Sequence, residues 1–194
     1  MIDGGGSNDL EKYDVGEQVL LPYLLNHGIK KIDIMIISHF DSDHCNGLIA
    51  ILENLKVNTL IIGKQKENSE EYQNIMKIAK NKKVLVKIVG QGQKIIIDKN
   101  TYFDVIYPEN ELQEEGLNNN SLVLKLNYNK FGMLFTGDIE KEAEENIVGM
   151  NKKTNNLKSS LLKVPHHGSK TSSTKEFLEL VKPQIVLIRS RKRQ

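Results

Sequence analysis

The sequence predicts an α/β fold of the α+β kind, with mixed sheets covered by helices on their outer faces. Near the start, the short β-branched runs "KIDIMIIS" and "VNTLIIG" alternate with segments whose apolar residues recur at helical spacing. After "KVLVKIVG" the strand-like runs "KIIID", "YFDVIYP", "SLVLKLNY" and "GMLFTGD" follow one another, which implies mostly antiparallel pairing. Then "IEKEAEENIV", "SLLKVP", "TKEFLELV" and "QIVLI" alternate helix and strand again. With 194 residues the chain can build one domain with a sizeable core, and a single domain over 1–194 is expected, ending in a basic tail at 189–194.

Taken in order, "MIDGGG" reads as the end of a strand running into a glycine turn. Val15, Val19, Leu20, Tyr23 and Leu24 then recur at helical spacing, with Gly28 as a stop and Pro22 implying a kink or break. "KIDIMIIS" is a buried strand ending at Ser38, which places His39 to Asn46 on the loop at its C-terminal end. "GLIAILENL" is a short helix and "VNTLIIG" a second buried strand. Asn68 with Glu71 forms a capping-box pattern for a helix through about Lys80, and "NKFG" reads as a hairpin turn.

Composition narrows function mainly by exclusion. With 39% hydrophobic and 27% charged residues and a net charge of +2, the chain has neither the bias of a disordered segment nor the global charge of a polyanion binder. Cys45 is the single cysteine, so no internal disulfide exists; it reads as a small buried residue in preference to a soft metal ligand. No apolar run is long enough to span a membrane, and "MIDGGG" lacks the features of a signal peptide. The basic end "RSRKRQ" reads as a solvated tail.

The chemistry concentrates at three strand ends. "HFDSDH" supplies His39, Asp41, Asp43 and His44, four metal-ligand types in six positions. In an extended loop the spacing of two sets His39, Asp41 and Asp43 on one side, while His44 points elsewhere, so one loop can serve two neighbouring cations. "LFTGD" places Asp138 at a second strand end and "VPHHGS" places His166 and His167 at a third. Strands of one sheet converging on one site produce this pattern.

Other residues carry two readings each. Asp3 is either a carboxylate that orients a ligand histidine through a hydrogen bond or a plain turn residue. Asn118, Asn119, Asn120 and Ser121 either hold a substrate oxygen or form an Asn-rich turn. Ser169, Lys170, Thr171, Ser172 and Ser173 are donors suited to phosphate oxygens, although Ser172 to Thr174 equally suit a helix cap. His27, beside Gly28, is explained by a favourable charge at a helix C-terminus and is left out of the site.

The series "IDGG", "SHFDSDH", "NNNSLVL", "LFTGD" and "KVPHHGSKTSS" resembles the metallo-β-lactamase fold and, within it, the hydrolase-like domain of the ComEC/Rec2 DNA-uptake competence family. The resemblance spans nearly the whole chain in order. It implies an αββα sandwich of two mixed sheets with outer helices and a dinuclear metal site at one edge. Three departures stand out. Asp41 occupies a position where the broad superfamily has a histidine. The "NNNS" region stands where a further histidine is usual. The Asp-Val-Gly-Gln-Gly-Asp stretch before "IDGG" and the Gly-His-Pro stretch after the last strand are not in this sequence, so the sandwich is expected to be incomplete at both ends.

On this resemblance the expected activity is metal-dependent phosphodiester hydrolysis, with DNA as substrate. His39, Asp41 and one of His166 or His167 would hold one divalent ion, and Asp43, His44 and the other histidine a second, with Asp138 bridging. Asp43, Asp138 and His167 would be catalytic, Asn120, Ser121, Ser169 and Lys170 would bind substrate, and Asp3 would orient a ligand. Three carboxylates beside four histidines suit Mn²⁺ as well as Zn²⁺. The implied partners are DNA and the membrane channel of a parent protein, with the domain monomeric and on the extracytoplasmic face. Two alternatives stand beside it: a phosphodiesterase acting on a small head group, like the phosphocholine esterases, and a non-catalytic module that binds metal or DNA. The 6% aromatic content without tryptophan disfavours a choline cage.

Overall fold

The computed structural model describes residues 1–6, 13–64, 69–109, 118–151 and 155–189. They divide into two compact units, Met1–Val89 and Gly90–Gln194. The basic tail beyond Arg189 lies outside the described residues.

In the first unit, a π-helical turn (Gly16–Leu20) runs into α1 (Leu21–Asn26). Pro22 falls in the first turn of α1, where its missing N–H leaves no helical bond unmade, so the expected break appears as a change of winding just before it. Gly28 ends the helix at φ 72°, and His27 Nδ1 lies 2.8 Å from the Tyr23 carbonyl. Strand β1 (Lys31–Ile37) leads to α2 (Ser42–Cys45) and α3 (Gly47–Asn54), then β2 (Lys56–Gly63), α4 (Glu70–Asn81) and β3 (Leu85–Val89). The three strands form one parallel sheet in the order β1-β2-β3. Ile37, Leu60 and Ile62 pack with Leu48, Ile51, Ile75 and Ala79 into one core.

Two local expectations change here. Asn68 lies outside the described residues; α4 is capped by Ser69, whose hydroxyl accepts the Tyr72 N–H at 3.2 Å. The loop after β1 is extended only as far as Asp41, because Ser42 to Cys45 close a helical turn. Asp43 therefore leaves the alternating side that a spacing of two assigned to it.

The second unit contains β4 (Lys94–Ile96), β5 (Thr101–Tyr107), β6 (Val123–Tyr128), β7 (Phe131–Phe135), α5 (Lys141–Asn151), β8 (Leu161–Lys163), α6 (Lys175–Val181) and β9 (Ile185–Leu187). They build one six-stranded sheet in sequence order. The first three pairings are antiparallel, as short connections allow, with Asn129 at φ 53° in the β6–β7 turn. The β7–β8 and β8–β9 pairs are parallel, because α5 and α6 carry the chain back to the starting end. Ile106, Val123, Leu134 and Leu162 pack against Ile147, Phe177 and Val181 in a separate core. Parallel pairing has a direct functional consequence: the segments after β7 and β8, carrying Asp138 and the two histidines, leave the sheet at the same end.

Candidate metal centre

In the first unit the ligand candidates sit on a buried hydrogen-bond network that starts at Asp3. The glycine turn lies directly on the junction of α2 and α3: the Gly4 N–H donates to the His44 carbonyl at 2.8 Å and the Gly47 N–H to the Gly5 carbonyl at 2.8 Å. A Cβ on Gly47 would collide with the Gly4 carbonyl, so only glycine permits this approach. Asp3 is thereby held beside β1. Its Oδ1 accepts the Ser38 N–H at 2.8 Å, and its Oδ2 accepts the Ser38 hydroxyl at 2.8 Å and the His44 Nδ1–H at 2.9 Å. Burial by itself would raise the Asp3 pKa, but the His44 hydrogen bond and charge, together with the Ser38 bonds, hold it below the ordinary carboxylate value.

Donor counting on this network sets both tautomers. The single Ser38 hydroxyl proton goes to Asp3, so the His39 Nδ1, 3.0 Å from Ser38 Oγ, must be the donor of that pair. His39 and His44 therefore both carry their proton on Nδ1 and present a lone pair at Nε2. The His39 side chain is fully buried, and its Nε2 makes no hydrogen bond among the described residues. That atom lies 3.6 Å from Asp41 Oδ2, too far for a hydrogen bond. Two ligands at roughly 2.1 Å from a tetrahedral ion stand about 3.4 Å apart, so the spacing fits a shared cation. Asp41 occupies the N-cap position of α2 without a side-chain capping bond, which argues against a mere capping carboxylate. Asp43 is partly exposed in the first turn of α2. Cys45 is completely buried in the core, as a small apolar residue would be, and burial followed by the charges of Glu71, Asp3 and Asp41 pushes its thiol pKa far up.

In the second unit Asp138 follows β7 with its side chain 4% exposed, and its Oδ2 lies 3.0 Å from His167 Nε2. The Asp138 N–H donates to Ser121 Oγ at 3.1 Å. Ser121 is fully buried, which corrects its expected contact with substrate: it lies beneath Asp138 and supports that loop. Asn119 does the same for the next turn, accepting the Glu140 N–H at 2.8 Å and donating to Glu142 at 3.1 Å. Asn120 is partly exposed in the same 3-10 turn.

After β8, His166 (φ 45°) and His167 (φ 53°) are both left-handed, a conformation costing roughly 1–2 kcal/mol for each non-glycine residue. The reversal sends the rings apart, with centroids 6.4 Å from each other. His166 Nδ1 meets Glu140 Oε1 at 3.0 Å, and the Thr171 hydroxyl donates to the same oxygen at 2.7 Å. His166 Nε2 is thus the atom left to act as a ligand, with Glu140 fixing the ring. Ser169 is partly buried, with Oγ 2.9 Å from Thr171 Oγ1, whereas Lys170 is exposed. The expected cap by Ser172 to Thr174 is also corrected. Thr174 at the N-cap of α6 makes no side-chain capping bond, and Glu144, fully buried on α5, pins the approach to the helix by accepting the N–H groups of Ser173 at 2.6 Å and Thr174 at 2.7 Å.

Four residues of these networks were not singled out from sequence. Ser38, Glu140 and Glu144 hold the groups that flank the ligands, and Lys163 lies 3.7 Å from Asp138 Oδ1 while donating to the Gly137 carbonyl at 3.3 Å. For Glu140 a signal existed, since it falls two residues after Asp138. For Glu144, thirty residues from its partners in sequence, there was none.

Carboxylates and histidines that follow strand ends are the donor set expected of the metallo-β-lactamase class. Residues 1–188 match the family described as Metallo-beta-lactamase superfamily, and the chain belongs to it. Its relatives include "ComE operon protein 3" of Bacillus subtilis (strain 168), 34% identical over 91% of this chain and 22% of that protein. "Recombination protein 2" of Haemophilus influenzae is 29% identical over 91% of this chain and 20% of its own length. Both are ComEC/Rec2-family competence proteins, and this chain spans only about a fifth of each. The crystal structure of CmlA, a diiron β-hydroxylase from Streptomyces venezuelae, superposes with a TM-score of 0.55 at 11% identity, covering 81% of this chain and 35% of that one. At that identity the likeness concerns the fold, which is mixed α/β with two sheets.

Proposed function

We propose that this chain is a metal-dependent phosphodiester hydrolase acting on DNA through a dinuclear centre. The observation that carries this reading is the tautomer-fixed pair His39 and His44, with the unbonded His39 Nε2 3.6 Å from Asp41 Oδ2 at the end of β1. His39 and Asp41 would hold one ion, Asp43 and His44 the other, each completed by His166 or His167, with Asp138 shared. When bound, two divalent ions, Zn²⁺ or Mn²⁺, would lower the pKa of a water nucleophile and neutralise charge on the phosphoryl oxygens.

The protein's own residues do the rest. Asp3 and Ser38 keep Nδ1 of both buried histidines protonated and their rings fixed. Ser121 and Lys163 hold the Asp138 loop, and the Lys163 ammonium adds positive charge beside a carboxylate that would receive an anionic substrate. Asn120, Ser169 and Lys170 are the candidate contacts to phosphate oxygens. DNA as substrate is supported by the competence relatives and by the absence of tryptophan for a choline cage. By the same relatives, the domain is read as part of a membrane competence protein, facing outward beside its channel; no helix among the described residues is long and apolar enough to cross a membrane.

The test is elemental analysis of protein purified without added metal, paired with a Mn²⁺-supplemented nuclease assay and an Asp138→Ala control. Two equivalents of metal with Asp138-dependent cleavage are expected. A folded protein with neither metal nor cleavage would leave a non-catalytic module.

A further inference from the structure

We propose that a basic pocket at the opposite end of the second unit's sheet binds the phosphate backbone of the nucleic-acid strand; this inference rests on the nuclease reading above. The pocket, about 390 Å³, lies where β7, β8 and β9 begin, whereas Asp138, His166 and His167 follow the ends of β7 and β8. The five residues of β7 alone span roughly 16 Å, so the two ends are separate sites.

Three lysines from three different connections line the pocket: Lys130 in the β6–β7 turn, Lys158 just before β8 and Lys182 at the C-cap of α6. Among the described residues none of the three pairs with a carboxylate, and no acidic residue lines the pocket. A helix C-terminus explains Lys182 alone, since a cation there is favoured, but it gives no reason for Lys130 and Lys158 to gather beside it. Like charges drawn into one concave site repel each other unless an anion is bound between them. The Ser160 hydroxyl and the Gln184 amide add neutral donors to the same lining.

The lining chemistry selects among anions. Each phosphodiester carries one negative charge, so three ammonium groups match successive phosphates of a polyanion better than one small carboxylate. The lining also holds no aromatic and no large aliphatic residue. Bases would have nothing to stack on, which makes the contact one of backbone and independent of sequence. A lipid surface would have no apolar side chain to receive, which disfavours a membrane dock.

The experiment compares K130Q/K158Q/K182Q with the unaltered chain, both carrying Asp138→Asn to prevent cleavage, in binding a fluorescein-labelled single strand about 20 nucleotides long. All three lysines are exposed, so the fold should persist, and equal melting temperatures check this. Expected is an affinity about 10-fold weaker, with a log–log salt dependence shallower by about 0.7 for each phosphate that the variant no longer neutralises. With Asp138 intact, hydrolysis of bis(4-nitrophenyl) phosphate by the triple variant should not change. Equal affinity and equal salt slope in the Asp138→Asn pair, with the strand cleaved by the chain that keeps Asp138, would overturn the pocket alone. Lost binding to vesicles of equal parts phosphatidylglycerol and phosphatidylcholine, with DNA affinity intact, would overturn it in favour of a membrane dock. If the unaltered chain neither binds nor cleaves the strand, the nuclease reading and the pocket fail together.

Discussion

The two units hold their histidines in contrasting ways. His39 and His44 lie on ordinary backbone, buried to 0% and 3% side-chain exposure, with both Nδ1 atoms tied into the Asp3–Ser38 network. His166 and His167 lie on left-handed backbone after β8, with side chains 30% and 25% exposed, and depend on Glu140, Asp138 and a loop pinned by Glu144. One half is rigid because it is part of a core. The other is a strained loop held in place by carboxylates, and it should yield first when those are removed.

Removing a proposed ligand should have the largest effect. On the proposed function, Asp138→Ala is expected to lower phosphodiester hydrolysis at least about 100-fold with circular dichroism unchanged. Next, Asp3→Ala would strand the Ser38 N–H and the His44 Nδ1–H in a buried site. A loss of about 2–4 kcal/mol in urea unfolding is expected, with metal affinity roughly 10–100-fold weaker by competitive titration. Asp3 also sharpens the contrast through pH. Its pKa is depressed on folding, so it contributes stability that is fully present above about pH 4 and lost as pH falls through the folded value. Asp3→Asn should flatten the acid limb of the stability profile; an unchanged limb would remove this account of the network.

Smaller effects are expected in the second unit. Glu144→Gln leaves one of the two N–H groups before α6 poorly matched, at a cost of about 1–3 kcal/mol, and limited proteolysis should cut first between Ser169 and Thr174. Glu140→Gln should weaken metal binding about 10-fold with little loss of stability, because it orients His166 at a partly exposed position. Cys45 should remain unmodified by iodoacetamide near neutral pH until denaturant opens the first unit, since burial keeps the thiol neutral. Rapid labelling of the native protein would show that this core is looser than the packing indicates.

Period and ligand chemistry made much of this legible beforehand. The β-branched run ending at Ser38 and the cluster from His39 to His44 required only local spacing to recognise, as did the switch from successive strands to alternating helix and strand. Local rules failed where a distant group satisfied a local need. Ser172 to Thr174 have the residue types of a cap, yet the Thr174 side chain makes no capping bond, and a carboxylate from α5 instead pins the backbone just before α6. Ser121 has the hydroxyl of a phosphate contact, yet burial assigns it to the Asp138 backbone.

The sequence by itself determined which side chains can bind metal and that they fall at strand ends, because covalent order and the periods of helix and strand are local properties of the chain. Only the tertiary structure decided which nitrogen of each buried histidine is left to bind. That choice rests on the few protons Asp3 and Ser38 can share, and those two residues meet only when a glycine turn packs against α2 and α3 across more than thirty residues of chain.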